Sequence, residues 1–219
     1  MTLFSYILAH DTGATPNPFF GACTLAICKP TIRRVAQPGD WIIATGPARH
    51  HTHAKLVYAM RVAEVLSLEH YFHDPRFNNK KPDLADKDPL RHVGDNLYQP
   101  DPDGTWSQLP GPRTPEQAPK DLRGKNALIA DHFFYFGTNA IPLPPSFQKL
   151  IHTNQGHRSQ FPNDLVRRFI TWLDGKHTPG IHGHPTDAGP VSISSGASTA
   201  VRPSKNKPPP ARNPLPGAC

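Results

Sequence analysis

The chain has 219 residues, 37% of them hydrophobic and 19% charged, with 27 prolines and 16 glycines. Proline stands at more than twice its usual ~5% share, which argues against a helical bundle or a long coiled coil and points to a part of the chain that does not fold. The formal net charge is +7, and +4 of it falls from Lys176 onward, so the first 175 residues are only mildly basic.

Residues 1–10 carry Leu3, Phe4, Tyr6, Ile7 and Leu8 and read as a buried strand. A Gly/Pro/Asn loop follows, then Phe19-Phe20-Gly21 and the short apolar run Cys23 to Cys28, which fits a strand or one helical turn. Pro38-Gly39-Asp40 is a turn signal, and Trp41 to Gly46 is the strand after it. Lys55 to Leu66 fits neither period cleanly and is expected as one long strand. Glu69 to Phe72 suggests a short helical turn. Residues 73–124 are poor in apolar residues, and such long excursions either carry function or are disordered. Within them, Leu97-Tyr98 and Trp106 flank the turn Asp101-Pro102-Asp103-Gly104, as in a hairpin. Asn126 to Phe136 is the densest aromatic segment and is expected as a buried strand. Ser146 to His152 reads as a short helix. Leu165, Phe169, Trp172 and Leu173 recur at helical spacing in residues 163–174, with Gly175 in the C-cap position. From Lys176 the chain turns to Pro, Gly, Ser, Ala and Lys, too apolar-poor to offset its ordering entropy. Two regions are expected: a folded domain over 1–175 and a disordered tail over 176–219.

No apolar stretch approaches the ~18 residues of a membrane helix. Met1 to Ala9 has no basic leader region, so it reads as a strand and not as a signal peptide. Three cysteines (Cys23, Cys28, Cys219) are too few for a disulfide scaffold, and a reduced, cytoplasmic protein is expected.

Metal and cofactor motifs are missing. Cys23 and Cys28 have no second pair nearby, and His50, His51 and His53 read better as a solvated loop than as a metal site; His182 and His184 are discounted in the same way. No GxxxxGK[ST], GxGxxG, HExxH or GxSxG occurs, so neither metal nor cofactor is expected. Polar and basic residues at strand ends remain. Asn17 can read a base edge, Arg33 and Arg34 precede the turn before Trp41, and Gly156-His157-Arg158 sits in a turn between two helices. Arginine suits phosphate by charge and by its bidentate fork. Against this, Trp41 and the Phe133 to Tyr135 run read more readily as core, and an arginine pair as a solvated face.

The runs SYILAHDTGATPNPFFGACTLAICKPTIRR (Ser5 to Arg34), GDWIIATG (Gly39 to Gly46), KLVYAMRVAEVL (Lys55 to Leu66), YFHDPRFNNKKP (Tyr71 to Pro82), GDNLYQ (Gly94 to Gln99), FFYFG (Phe133 to Gly137) and GHRSQF (Gly156 to Phe161) resemble the nucleotide modification associated domain family, type 2. The resemblance covers roughly residues 1–175 and implies a role linked to modified nucleobases in DNA. The Gly-Asp-Trp strand, the strand after it and the Tyr-x-x-Asp-Pro-x-Phe segment are also similar to the EVE and ASCH members of the PUA-like superfamily. That similarity implies an α+β fold, a small open β-barrel with a few helices, whose pocket accepts a flipped or modified base.

On this basis the expected function is recognition of a modified base in DNA. Asn17, Phe19, Thr24, Trp41 and His157 would lie near the base, and Arg33, Arg34 and Arg158 would hold phosphates. The alternative is an enzyme acting on a base, with Asp11, Cys23, His132 and His157 as candidates. That alternative gains if Cys23 and His157, or Asp11 and His157, converge within hydrogen-bond reach in an open cleft, and loses if those side chains face a packed core. A Pro-rich tail (Pro203 to Pro216) could dock a protein partner in polyproline form.

Overall fold

Strand β1 (Leu3–Ile7) opens the fold of the computed structural model, which describes residues 1–48 and 50–187. In chain order there follow β2 (Cys23–Leu25), α1 (Pro30–Val35), β3 (Trp41–Thr45), β4 (Lys55–Arg61), β5 (Glu64–Ser67), α2 (Leu68–His73), β6 (Tyr98–Pro100), β7 (Trp106–Gln108) and α3 (Ala118–Leu122). The last elements are β8 (Asn126–Ala130), β9 (His132–Tyr135), β10 (Ile141–Pro142), β11 (His157–Arg158), α4 (Asn163–Lys176) and β12 (Gly180–Ile181). The architecture is α+β.

The larger sheet runs in the order β11-β1-β3-β4-β9-β12, with β10 also on β4. β1 and β3 are parallel, from Leu3 opposite Trp41 to Ile7 opposite Thr45. A second sheet has the order β2-β8-β5. The sheets are joined covalently twice, because β4 continues into β5 and β8 into β9. These strands pair with each other on both sides of the junction, Arg61 opposite His132 in one sheet and Glu64 opposite Ile129 in the other. Among the described residues the pairings close no barrel.

Both faces of the larger sheet are buried. Phe4, Tyr6 and Tyr58 point into a core shared with Cys23, Leu25 and Leu128 of the second sheet. Leu3, Trp41 and Phe134 point the other way, against Phe169 and Leu173 of α4. This explains why Lys55 to Leu66 shows no clean period. A strand covered on both faces needs no polar side, and its alternation is between two apolar cores. The single expected strand is also interrupted: the ribbon bends at Val62-Ala63, where the Ala63 amide donates to the Ile129 carbonyl at 2.8 Å. Asn126 to Phe136 breaks in the same place, at Asp131.

The hairpin around Asp101 to Gly104 forms as β6 and β7, with the Asp101 amide donating to the Thr105 carbonyl at 2.9 Å. The excursion over 73–124 is ordered and packed. It carries 3₁₀ turns at Pro75–Lys80, Pro89–Val93 and Pro115–Gln117, and it buries Phe77, Leu97 and Tyr98. Ser146 to His152 is a 3₁₀ turn over Pro145–Leu150. Gly175 does not end α4, which continues through Lys176 to a His177 amide bonded to the Leu173 carbonyl at 3.0 Å.

The expected boundary at 175/176 falls too early. β12 pairs in parallel with β9, the His182 amide donates to the Tyr135 carbonyl at 2.7 Å, and the Asp187 amide donates to the Asp11 carbonyl at 2.8 Å. His182 and His184 therefore belong to the fold, and His182 stacks on Phe136 at 5.1 Å. These contacts replace the missing apolar side chains with main-chain hydrogen bonds, which composition does not reveal. The rest of the expected tail, including the Pro-rich segment, lies outside the described residues. No helix among the described residues is long and apolar enough to cross a membrane.

Candidate functional site: a cationic cleft divided by His157

Two short stretches meet at the β11 edge of the larger sheet. The first is the turn Cys28-Lys29 leading into α1, and the second is the segment 151–160 that carries β11. Gly156 takes φ +93°, a left-handed turn that glycine adopts freely. The turn sets His157 opposite Tyr6 and Arg158 opposite Ser5 across an antiparallel pair. The His157 ring packs on Phe4 at 5.8 Å. Burial, with His152 and Lys29 nearby, holds its imidazole below the ordinary value, so the neutral ring is favoured near pH 7.

His157 forms the wall between two cavities. The larger, about 460 Å³, is lined by Ile151, His152, Thr153, Asn154, Arg158, Ser159 and Gln160 as well as His157. The smaller, about 310 Å³, is lined by Cys28, Lys29, Pro30, Thr31, Ile32, Lys120, Gly156 and His157. Both volumes fall in the ~300–1,000 Å³ range of small-molecule sites. Neither lining contains an aspartate or glutamate. The amides of Asn154 and Gln160 supply donors and acceptors together, while His152 and Arg158 supply further donors. Arg158 lies over the Phe161 ring at 4.7 Å and is exposed. Such a surface suits an anionic ligand with a planar, hydrogen-bonding part.

Of the residues expected at the site, His157 and Arg158 are placed on this cleft. The others are elsewhere. Asn17 is fully buried; its side chain donates to the Val93 carbonyl at 2.9 Å and accepts from the Lys80 ammonium at 2.8 Å. Thr24 is buried with its hydroxyl on Asp95 at 2.8 Å. Phe19 and Trp41 are core residues. Arg33 is fully buried, and its guanidinium donates to the carbonyls of Cys28, Asn126 and Asp121. Three of its five N–H donors go to main-chain carbonyls, and the side chain is sealed inside the fold and lines neither cavity. Arg34 is exposed on α1 but does not line the cleft.

The expected catalytic pairs do not form. Cys23 is buried with its sulfur 4.0 Å from the Met60 sulfur, and burial pushes its thiol up to about 12. A thiol held protonated at neutral pH is a poor nucleophile. Asp11 is buried against Tyr135 and makes no hydrogen bond to His157. His132 pairs with Asp174 at 2.8 Å on another part of the surface.

Sequence reasoning missed Lys29, Lys120, His152, Asn154 and Gln160. Lys29 and His157 did carry a signal, since the runs Ser5 to Arg34 and Gly156 to Phe161 both carry the family resemblance and their residues converge here. Lys120, by contrast, comes from the Pro-rich excursion, where nothing in the sequence marks it.

The fold and cleft define a small α+β domain with a carboxylate-free, cationic recess at a sheet edge. The model of the family described as nucleotide modification associated domain 2 matches residues 1–190, and the chain belongs to that family. Membership associates it with nucleotide modification. No curated protein matches the chain, and no solved structure does.

Proposed function

We propose that the domain recognises a modified nucleobase in DNA, with the base entering the larger cavity beside His157. The observation that carries this reading is the cleft itself. It is lined by cations and amides with no carboxylate, and part of its lining, Cys28 to Ile32 and Gly156 to Gln160, falls in runs that carry the family resemblance of a chain that belongs to a nucleotide-modification family. Asn154 and Gln160 would address the edge of the base, and the His157 ring would pack against its face. Arg158 would hold a backbone phosphate from the rim. Extruding a base from a duplex costs a few kcal/mol, an amount that pocket contacts and stacking offset. The two sheets, bridged by the bent β4–β5 and β8–β9 ribbon around one core, support reading the domain as a PUA-like open barrel.

The test is fluorescence anisotropy with duplexes identical except for one base, plain in one and modified in the other, at physiological salt. A preference of at least tenfold for one modification is expected. Arg158→Ala should weaken both duplexes alike and lower the salt slope by about one. Equal affinity across a panel of modified and plain duplexes would sink the proposal.

A further inference from the structure

The smaller cavity gathers positive charge and holds no counter-charge. Lys29 and Lys120 line it together with His157 and the hydroxyl-bearing Thr31. The Lys29 ammonium lies 4.0 Å from the centroid of the buried Tyr6 ring and 3.3 Å from the Ile7 carbonyl oxygen. Neither neighbour is charged. Among the described residues no carboxylate pairs with Lys29 or with Lys120. Burial, reinforced by the charge of Lys120, pushes the Lys29 amine down to about 8. The main chain that carries it is itself unusual, with φ 56° at Cys28 and 40° at Lys29, a left-handed pair without glycine.

A half-buried ammonium beside a second ammonium is unfavourable by desolvation and by repulsion together. Elsewhere in this protein buried cations are compensated. Lys80 is held by three oxygens within 2.9 Å, and Arg113 is paired with Asp121 at 2.8 Å. The Lys29 cavity has the cations and the open volume, with a single carbonyl oxygen at 3.3 Å and, among the described residues, no carboxylate. An anion from solution would reverse both costs at once.

We propose that this cavity is a phosphoryl subsite, in which Lys29, Lys120 and His157 hold one phosphate group of a nucleotide. The inference rests on the base-recognition reading only for the nucleotide to which the phosphate belongs. Lysine ammonium groups act as point charges with freely oriented donors, which suits a tetrahedral oxyanion approached from several sides. The neutral His157 ring adds one N–H, and Thr31 offers one hydroxyl. The same chemistry fits a backbone phosphodiester or a terminal monophosphate.

The experiment uses the full chain and three probes: inorganic phosphate, a single-stranded pentadeoxynucleotide bearing a 5′-hydroxyl, and the same oligonucleotide bearing a 5′-phosphate. Titration of each, followed by calorimetry and by the His157 ring resonances, is compared in the native protein, Lys29→Met and Lys120→Met. Phosphate should shift the His157 signals, and each substitution should weaken the oligonucleotide about tenfold. Lys120 is exposed, so its variant keeps the test informative if Lys29→Met unfolds. A tenfold advantage for the 5′-phosphate would assign the subsite to a terminal monophosphate, and equal binding of the two oligonucleotides to the backbone. Unchanged affinity in Lys120→Met and in a folded Lys29→Met, or a His157 signal indifferent to phosphate, would overturn the subsite. The plain-versus-modified comparison is read separately. A subsite without modified-base preference would stand alone, and preference without Lys29 dependence would leave only the base-recognition reading.

Discussion

Asp11 sits at the meeting of the N-terminal strand and the last described residues. The Tyr135 hydroxyl donates to its Oδ1 at 2.6 Å, and the Thr186 amide reaches its Oδ2 at 3.3 Å. Burial pushes the Asp11 carboxyl up to about 6 from 3.8, and these hydrogen bonds only partly oppose it. In the unfolded chain the group ionises near the lower value. Between about pH 4 and pH 6 the unfolded state has lost this proton while the folded state still holds it. The Asp11 contribution is therefore fully present below that window and falls as pH rises through it, by up to ~3 kcal/mol. Thermal unfolding from pH 3.5 to 7 should show that decline, and Asp11→Asn should flatten it; a variant as steep as the native protein would place the titration on another group. The same scale shows why single residues were hard to read. Arg33 and Arg34 are adjacent, but on α1 successive side chains point about 100° apart. One is drawn fully inside to satisfy three carbonyls and the other is left in solvent. Sequence identifies an arginine pair and cannot say which member turns inward. Asn17 and Thr24, expected near the base, are instead spent on buried partners within the fold. Their partners, Lys80 and Asp95, lie 63 and 71 residues away.

At the level of elements, apolar runs located most of the strands, and the regular spacing of Leu165, Phe169 and Leu173 located α4. Bends and short helices were less visible. The breaks at Val62-Ala63 and Asp131 arise because one ribbon serves two sheets, a tertiary requirement with no local code. α1 and α3 span six and five residues, too few for a helical period to emerge, and Pro30 stands in the first turn of α1. The closing segment over 180–187 depends on a different device. Gly137 has φ 52°, and a Cβ there would overlap the His184 carbonyl oxygen, which accepts from the Thr138 amide at 2.7 Å. Gly137→Ala should cost more than ~1 kcal/mol from the left-handed backbone alone, and its effect should be local. Hydrogen exchange is expected to quicken at the Thr138 and His182 amides while β3 and β4 keep their protection. Uniform loss of protection would mean that this segment and the sheet open as one unit.

For the whole molecule, proline content by itself suggests disorder, yet within the described residues prolines open four of the 3₁₀ turns, at Pro75, Pro89, Pro115 and Pro145. A fixed φ lets a low-apolar excursion hold shape without a large core of its own. Charge is arranged on the same scale. Beyond Asp187 lie Arg202, Lys205, Lys207 and Arg212 and no acid, so +4 of the net +7 can be removed without touching the described fold. A chain ending at Asp187 should keep its preference for a modified duplex while its affinity falls less steeply with salt, each lost phosphate contact flattening the slope by ~0.9. Anisotropy at several salt concentrations measures both. Loss of the preference itself would make residues 188–219 part of recognition.

The partition at His157 is stitched to β1 through a two-residue strand, whereas Lys29 on the other bank is backed by Tyr6, whose hydroxyl is locked to that of Tyr58 in the interior at 2.6 Å. One half of the recess thus rests on bedrock and the other on a thin seam. Changes between Ile151 and Gln160 can reshape the larger cavity while the scaffold behind Lys29 stays as it is.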